Sequence, residues 1–317
     1  MAVSLSISSS NPLLMKRLLL SLLLLFIGLL ATDRFGAVLM KHVAYHSRDV
    51  LAPKLRTLQD GVSADVVLLG ASRCHHHYVP SIMADSLGMS VYNAGVGGSD
   101  NIYSHYLVLC HLLRHHTPRI VCLELMPSDY QKEADPFHAL SFFAPLFGQC
   151  SQADSLYMLA GSYWKYRLSH LYRYNAKATS NILGLFINRQ SLADNGYIPL
   201  PQPAKTLQGP EREGVAVLGC DSQKLTFLRR FIALCRQQGI LLVFTVSPRL
   251  TEAPDSLYMP LKVVAREAGI PFLDYHGQHL YHDHPEYFKD GLHLWDHGAR
   301  LFTMLFASDL KPFVLGK

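Results

Sequence analysis

Three side chains that can break an ester together are spread widely along this chain: Ser72, and the close pair Asp290 and His293. Ser72 directly follows the apolar, β-branched run Asp65 to Ala71 (DVVLLGA). A strand entering a helix at that point sets the hydroxyl beside free helix-start amides, which favour developing negative charge. Asp290-Gly291-Leu292-His293 is a short turn in which a carboxylate can hold an imidazole in one orientation for use as a base. Between them lies the loop Asn93-Ala94-Gly95-Val96-Gly97-Gly98-Ser99-Asp100, whose glycines let main-chain N–H groups approach a ligand closely. Each motif alone has a plain structural reading: a strand-to-helix turn, a helix-capping aspartate, a tight turn. Together they supply a nucleophile, a base, an orienting carboxylate and oxyanion donors.

The elements needed to position them are legible as an alternation. Short, continuously apolar runs at 65–71, 90–92, 119–125, 240–246 and 270–274 read as strands buried on both faces. Helical patterns at 80–87, 101–116, 222–238, 256–268 and 297–310 separate or follow them. This order predicts an α/β fold with a parallel sheet covered on both faces, its functional edge at the strand C-termini. The segment 131–219 breaks the alternation and reads as a mainly helical insertion. Its helical stretch spans 155–186, rich in Tyr157, Tyr163, Trp164, Tyr166, Tyr172 and Tyr174, and 195–203 is extended or turn-like. Those aromatics fit sugar stacking or ordinary helix packing.

The chain has 317 residues, of which 49% are hydrophobic and 17% charged, so a large buried core is expected and disorder is not. Its net charge of +5 is spread out, with no basic run to track a phosphate backbone, and nucleic acid is not an expected partner. Leu18 to Ala31 is almost purely aliphatic and is preceded by Lys16-Arg17. It reads as an uncleaved anchor within residues 1–40 or as a cleaved signal peptide; no clear Ala-x-Ala site follows it. Basic residues ahead of the run place the N-terminus inside and residues 41–317, as one domain with its insertion, outside. The expected location is therefore a single-pass cell-membrane protein with a periplasmic or extracellular domain. One such run cannot build a channel. The six cysteines (Cys74, Cys110, Cys122, Cys150, Cys220, Cys235) mostly sit in apolar segments and read as buried thiols. Cys150 and Cys220 are the least core-like candidates for a disulfide in an oxidising compartment.

The order and placement of the three motifs resemble the SGNH (GDSL-like) hydrolase superfamily, over roughly 65–310 with the insertion outside the shared core. The resemblance implies a flavodoxin-like three-layer α/β/α sandwich. It implies Ser72, Asp290 and His293 as the catalytic triad, and an oxyanion hole from the amides of Ser72 and Gly98. Gly70-Ala71-Ser72 departs from the family's Gly-Asp-Ser block only at Ala71, and Asn93 to Gly98 matches the Asn-x4-Gly spacing of its second block. The third block differs: in Glu124-Leu125-Met126-Pro127-Ser128-Asp129, Ser128 stands where the family has its oxyanion asparagine. Ser128 is the corresponding expected donor, although a serine reaches less far. Asn93 and Arg73 are the expected substrate-binding side chains. The Gly-x-Ser-Arg block, the anchor, and Phe288-x-Asp290-x-x-His293-Leu294 followed by Gly298-Ala299 are further similar to the membrane-anchored proteins of alginate O-acetylation and D-alanine transfer.

What this resemblance implies is an esterase or O-acyltransferase that takes acyl esters of an envelope or exported polysaccharide, with a membrane-bound acyltransferase as a partner. The alternative is an inactive SGNH-fold scaffold or binding subunit of a glycan-modifying complex. No cofactor is expected. The runs Cys74-His75-His76-His77 and His282-Asp283-His284 invite a metal, but neighbouring side chains on one helix diverge, and no metal site is expected.

Overall fold

The apolar runs form a five-stranded, wholly parallel sheet: β1 (Val66–Leu69), β2 (Val91–Asn93), β3 (Ile120–Glu124), β4 (Leu241–Val246) and β5 (Phe272–Asp274). The spatial order is β2-β1-β3-β4-β5. Val66 lies beside both Val91 and Ile120, Ile120 beside Leu241, and Phe244 beside Phe272. This is a flavodoxin-like order, with the chain reversing direction across the sheet next to β1. The computed structural model describes residues 12–187, 194–205, 218–277, 281 and 283–315.

The helices are α1 (Pro12–His46), α2 (Leu51–Asp60), α3 (Ser72–His77), α4 (Pro80–Leu87), α5 (Ile102–Leu112), α6 (Ser151–Leu159), α7 (Tyr163–Leu168), α8 (Ala178–Leu183), α9 (Ser222–Gln237), α10 (Met259–Glu267) and α11 (Asp296–Leu315). Alternate strand residues serve two cores, as the two-residue period of a strand requires. Val67, Leu69, Val121, Leu123 and Phe244 pack under α2, α5, α9, α10 and the insertion. Val66, Leu68, Ile120, Cys122 and Val243 pack under α3, α4 and α11. The result is an α/β/α sandwich with its added helices on one side. Local signals set the helix ends: Asp221 Oδ1 accepts the N–H groups of Gln223 and Lys224 to start α9.

Two expectations change. α1 runs to His46, beyond the expected anchor end at 40, and α2 follows at once. Leu51, Leu55 and Leu58 give α2 its buried stripe, with Pro53 tolerated in the first turn. The helix expected over 155–186 is broken into α6, α7, the 3-10 turn Leu171–Lys177 and α8, because Gly161 takes a left-handed φ of 66° after α6. The cysteines agree with the expected reading: all six are free, Cys74, Cys110, Cys122 and Cys235 are buried, and Cys150 lies against the carbonyl of Cys110 at 3.8 Å.

At about 1.5 Å per residue, α1 is roughly 52 Å long. It is long and apolar enough to cross a membrane, with a mean hydropathy of 2.3 over its most apolar window. Its leucines from Leu18 to Leu30 project into open space. Asp33 and Arg34 tie its middle to the insertion. Asp33 accepts bonds from the Ser169 hydroxyl and from the N–H groups of His170 and Leu171, and Arg34 donates to the Leu168 carbonyl.

Candidate active site

Ser72 is the first residue of α3 at the C-terminal edge of β1. Gly70 makes the turn possible: a Cβ there would sit 2.7 Å from Cys74 Cβ and 3.0 Å from the Glu124 carbonyl. The loop after β2 folds back on α3 through Gly95, where a Cβ would meet the His75 amide at 2.8 Å. That brings Gly97 beside the serine, within 4.0 Å of Ser72 Cβ by the same measure. Among the described residues, the N–H groups of Ser72 and Gly98 donate to no partner, whereas that of Gly97 donates to His75 Nδ1 at 3.3 Å.

From the far end of the chain, the turn 290–293 delivers His293 to the same edge. Its Nε2 is 2.9 Å from Ser72 Oγ, and its Nδ1 is 3.0 Å from each oxygen of Asp290. Nδ1–H donating to the carboxylate leaves Nε2 to accept the serine proton. Burial raises the Asp290 carboxyl, but the imidazole and the N–H groups of Leu292 and His293 outweigh it and hold the group below the usual carboxylate range. The turn is pinned from β4's side: Leu250 N, Thr251 N and Thr251 Oγ1 all donate to the Gly291 carbonyl.

A buried polar chain that sequence reasoning missed runs beneath this turn. Leu294 N–H donates to His77 Nε2 at 3.0 Å. The proton must then sit on Nδ1, which donates to Ser247 Oγ at 2.8 Å, and that hydroxyl donates to Glu124 Oε1 at 3.0 Å. Glu124 pairs with Arg73 Nη2 at 2.9 Å. Burial, with the nearby Arg73 guanidinium adding to it, keeps the His77 imidazole neutral, as this bond direction requires. The chain thus links the helix that carries Ser72 to the segment that carries His293. Ser247 stands just past β4, at the sheet edge the alternation had marked, but no motif distinguishes it.

Three of the expected roles are corrected. Arg73 is not at the substrate face: it is 1% exposed, bonded to Glu124 and to the carbonyls of Leu125 and Ser247. Asn93 is fully buried; its Nδ2 donates to the carbonyls of Cys74 and Tyr78, and its Oδ1 accepts from Gly95 N, so it staples the glycine loop to α3. The Ser128 hydroxyl is shielded from solvent without a partner, and its carbonyl is held by Lys224 of α9, so it does not face an open site. An oxyanion donor must face the space where the carbonyl sits.

His75, His76 and His77 diverge, as their adjacency dictates, to Gly97, Ile198 and Ser247. Of the second histidine run, His282 lies outside the described residues. Beside the glycine loop a cavity of about 350 Å³ is lined in part by Leu51, Lys54, His75, His76, Gly97 and Ile198; Ser72 and His293 are not in its lining. Lys54, fully buried, donates to the carbonyls of Asn93 and Gly196, and burial brings its pKa down to about 7.

No family profile and no curated protein matches the chain. A solved structure, a candidate acylhydrolase of Bacteroides fragilis, matches with a TM-score of 0.34 and 13% identity, covering 78% of this chain and 87% of that one. A likeness this distant carries no argument about chemistry, which rests on the geometry above.

Proposed function

We propose that the chain is a membrane-anchored serine esterase or O-acyltransferase of the SGNH type, working outside the membrane on acyl esters of an envelope or exported polysaccharide. The observation that carries this reading is the bonded series Ser72–His293–Asp290, with the uncommitted amides of Ser72 and Gly98 beside it. His293 takes the serine proton, Ser72 attacks the ester carbonyl, and the two amides receive the oxyanion. Collapse expels the alcohol, protonated by His293, and leaves an acyl-serine. Water or a sugar hydroxyl then takes the acyl group by the reverse path. The cavity beside Gly97 offers room for the acyl group and part of its carrier.

α1 anchors the chain in this reading, and Lys16-Arg17 orient it with the sandwich outside. A membrane-bound acyltransferase is the fitting donor partner. One observation favours a second reading, a binding scaffold: the hidden Ser128 hydroxyl leaves the oxyanion site one donor short, which typically costs about 10²–10³ in rate.

The test is labelling of the detergent-solubilised full chain by a fluorophosphonate probe. Wild type is expected to label, Ser72→Ala not at all, and His293→Ala at least about 10⁴-fold more slowly. A folded wild-type chain that does not label would sink the enzyme reading in favour of the scaffold.

A further inference from the structure

On the flank of the molecule, between α1 and the insertion, lies a second cavity of about 500 Å³. It shares no lining residue with the cavity beside Gly97. Its polar lining is dominated by cationic and imidazole groups: Arg34 and Lys41 from α1, Arg167 from α7, and His170 and Arg173 from the turn after it. No carboxylate lines it among the described residues. Two carboxylates stand behind this wall without lining it: Asp33 pairs with Arg34 and caps the turn at 169–171, and Asp154, which accepts Gly148 N–H, lies close enough to act on Arg173 and Arg167.

Arg173 is built into the wall, donating to the carbonyls of Tyr166 and Phe147 and lying 5.0 Å over the Phe147 ring. Arg167 and Lys41, by contrast, are exposed, and neither has a hydrogen bond or ion pair among the described residues. The rest of the wall is Gln59 and Gln149 with the apolar side chains of Val38, Pro145, Phe147 and Tyr174.

Position selects the ligand. The cavity begins at Arg34, three residues past the end of the aliphatic run at Ala31. On the same flank Trp164 and Leu168 are 67% and 69% exposed, with Leu171 and Val38 also open. Aromatic and aliphatic side chains bare at this level are what a membrane interface accommodates, and basic groups among them attract anionic headgroups.

We infer that this cavity holds the phosphate-bearing headgroup of an anionic membrane lipid, with Arg167 and Lys41 as its free cationic contacts. The inference rests on reading α1 as the membrane span. A lipid seated there is braced by both α1 and the insertion, and so fixes how the sandwich, with Ser72 at its edge, stands on the bilayer.

The full chain is reconstituted into nanodiscs of mixed zwitterionic and anionic phospholipid, and lipid retained after mild detergent extraction is identified by native mass spectrometry. Wild type is expected to retain anionic lipid selectively. The Lys41→Glu/Arg167→Glu double variant, whose sites hold no structural bonds, should lose that selectivity by at least about thirtyfold. Equal selectivity in both proteins, or none in wild type, overturns the inference. Displacement of the lipid by millimolar inorganic phosphate overturns it in favour of a soluble anion site. Alkali-resistant association with the disc, scored in parallel, reports α1 separately. A chain that stays in the disc without lipid preference refutes the cavity alone, and one that falls out refutes the anchor with it.

Discussion

Replacing His77 with leucine separates the bonds that make the site from those that merely fill the core. The side chain is fully buried and joins two partners, accepting from Leu294 N and donating to Ser247 Oγ. Leucine keeps the apolar volume but leaves a buried N–H and a buried hydroxyl with one partner fewer. Each unmet group costs about 1–3 kcal/mol, less where local shifts or water answer it, so a loss of roughly 2–4 kcal/mol is expected. In a domain of this size that lowers Tm by about 3–7 °C. The kinetic effect should be larger. Leu294 follows His293 directly, and a base displaced by about 1 Å can cost on the order of a hundredfold. The assay pairs thermal unfolding of the solubilised chain with the rate constant of fluorophosphonate labelling. A labelling rate within threefold of wild type, despite the lowered Tm, would refute the claim that His77 positions the base. Ser247→Ala, which leaves the Leu294 bond intact, should show the smaller defect in both measurements.

Lys54 predicts a pH signature. Its folded pKa of about 7 lies below its ordinary value of 10.5, so between those values the unfolded chain binds the extra proton. Stability contributed by the group therefore rises with pH from about 7 toward 10.5 and is absent below 7. Tm measured from pH 7 to 9 should climb in wild type relative to Lys54→Met, and parallel curves would refute the shift. Arg73→Met leaves the buried Glu124 carboxylate without its cationic partner and should cost about 3–5 kcal/mol, read by denaturant unfolding. A variant of wild-type stability would show that the pair is not held as described.

The sequence by itself determined the parallel sandwich and the three residues that meet at its edge. Both follow from local facts. A β-branched run buried on two faces has few alternatives, and a serine at a strand's end is carried to the C-terminal edge whatever surrounds it. Asp290 and His293 bond within one turn, so their partnership is written in a spacing of three. The identity of their neighbours was decided only by tertiary structure. Arg73 follows the serine in sequence, yet the helix turns it inward to Glu124. Asn93 heads the glycine loop, but its amide is consumed by the carbonyls of Cys74 and Tyr78. His77 and Ser247 are 170 positions apart, and no periodicity predicts that a neutral imidazole will bridge them under His293. Hydrophobic pattern constrains which face of an element is buried. Which polar groups meet there depends on how separate elements dock, and that geometry exists only in the folded chain.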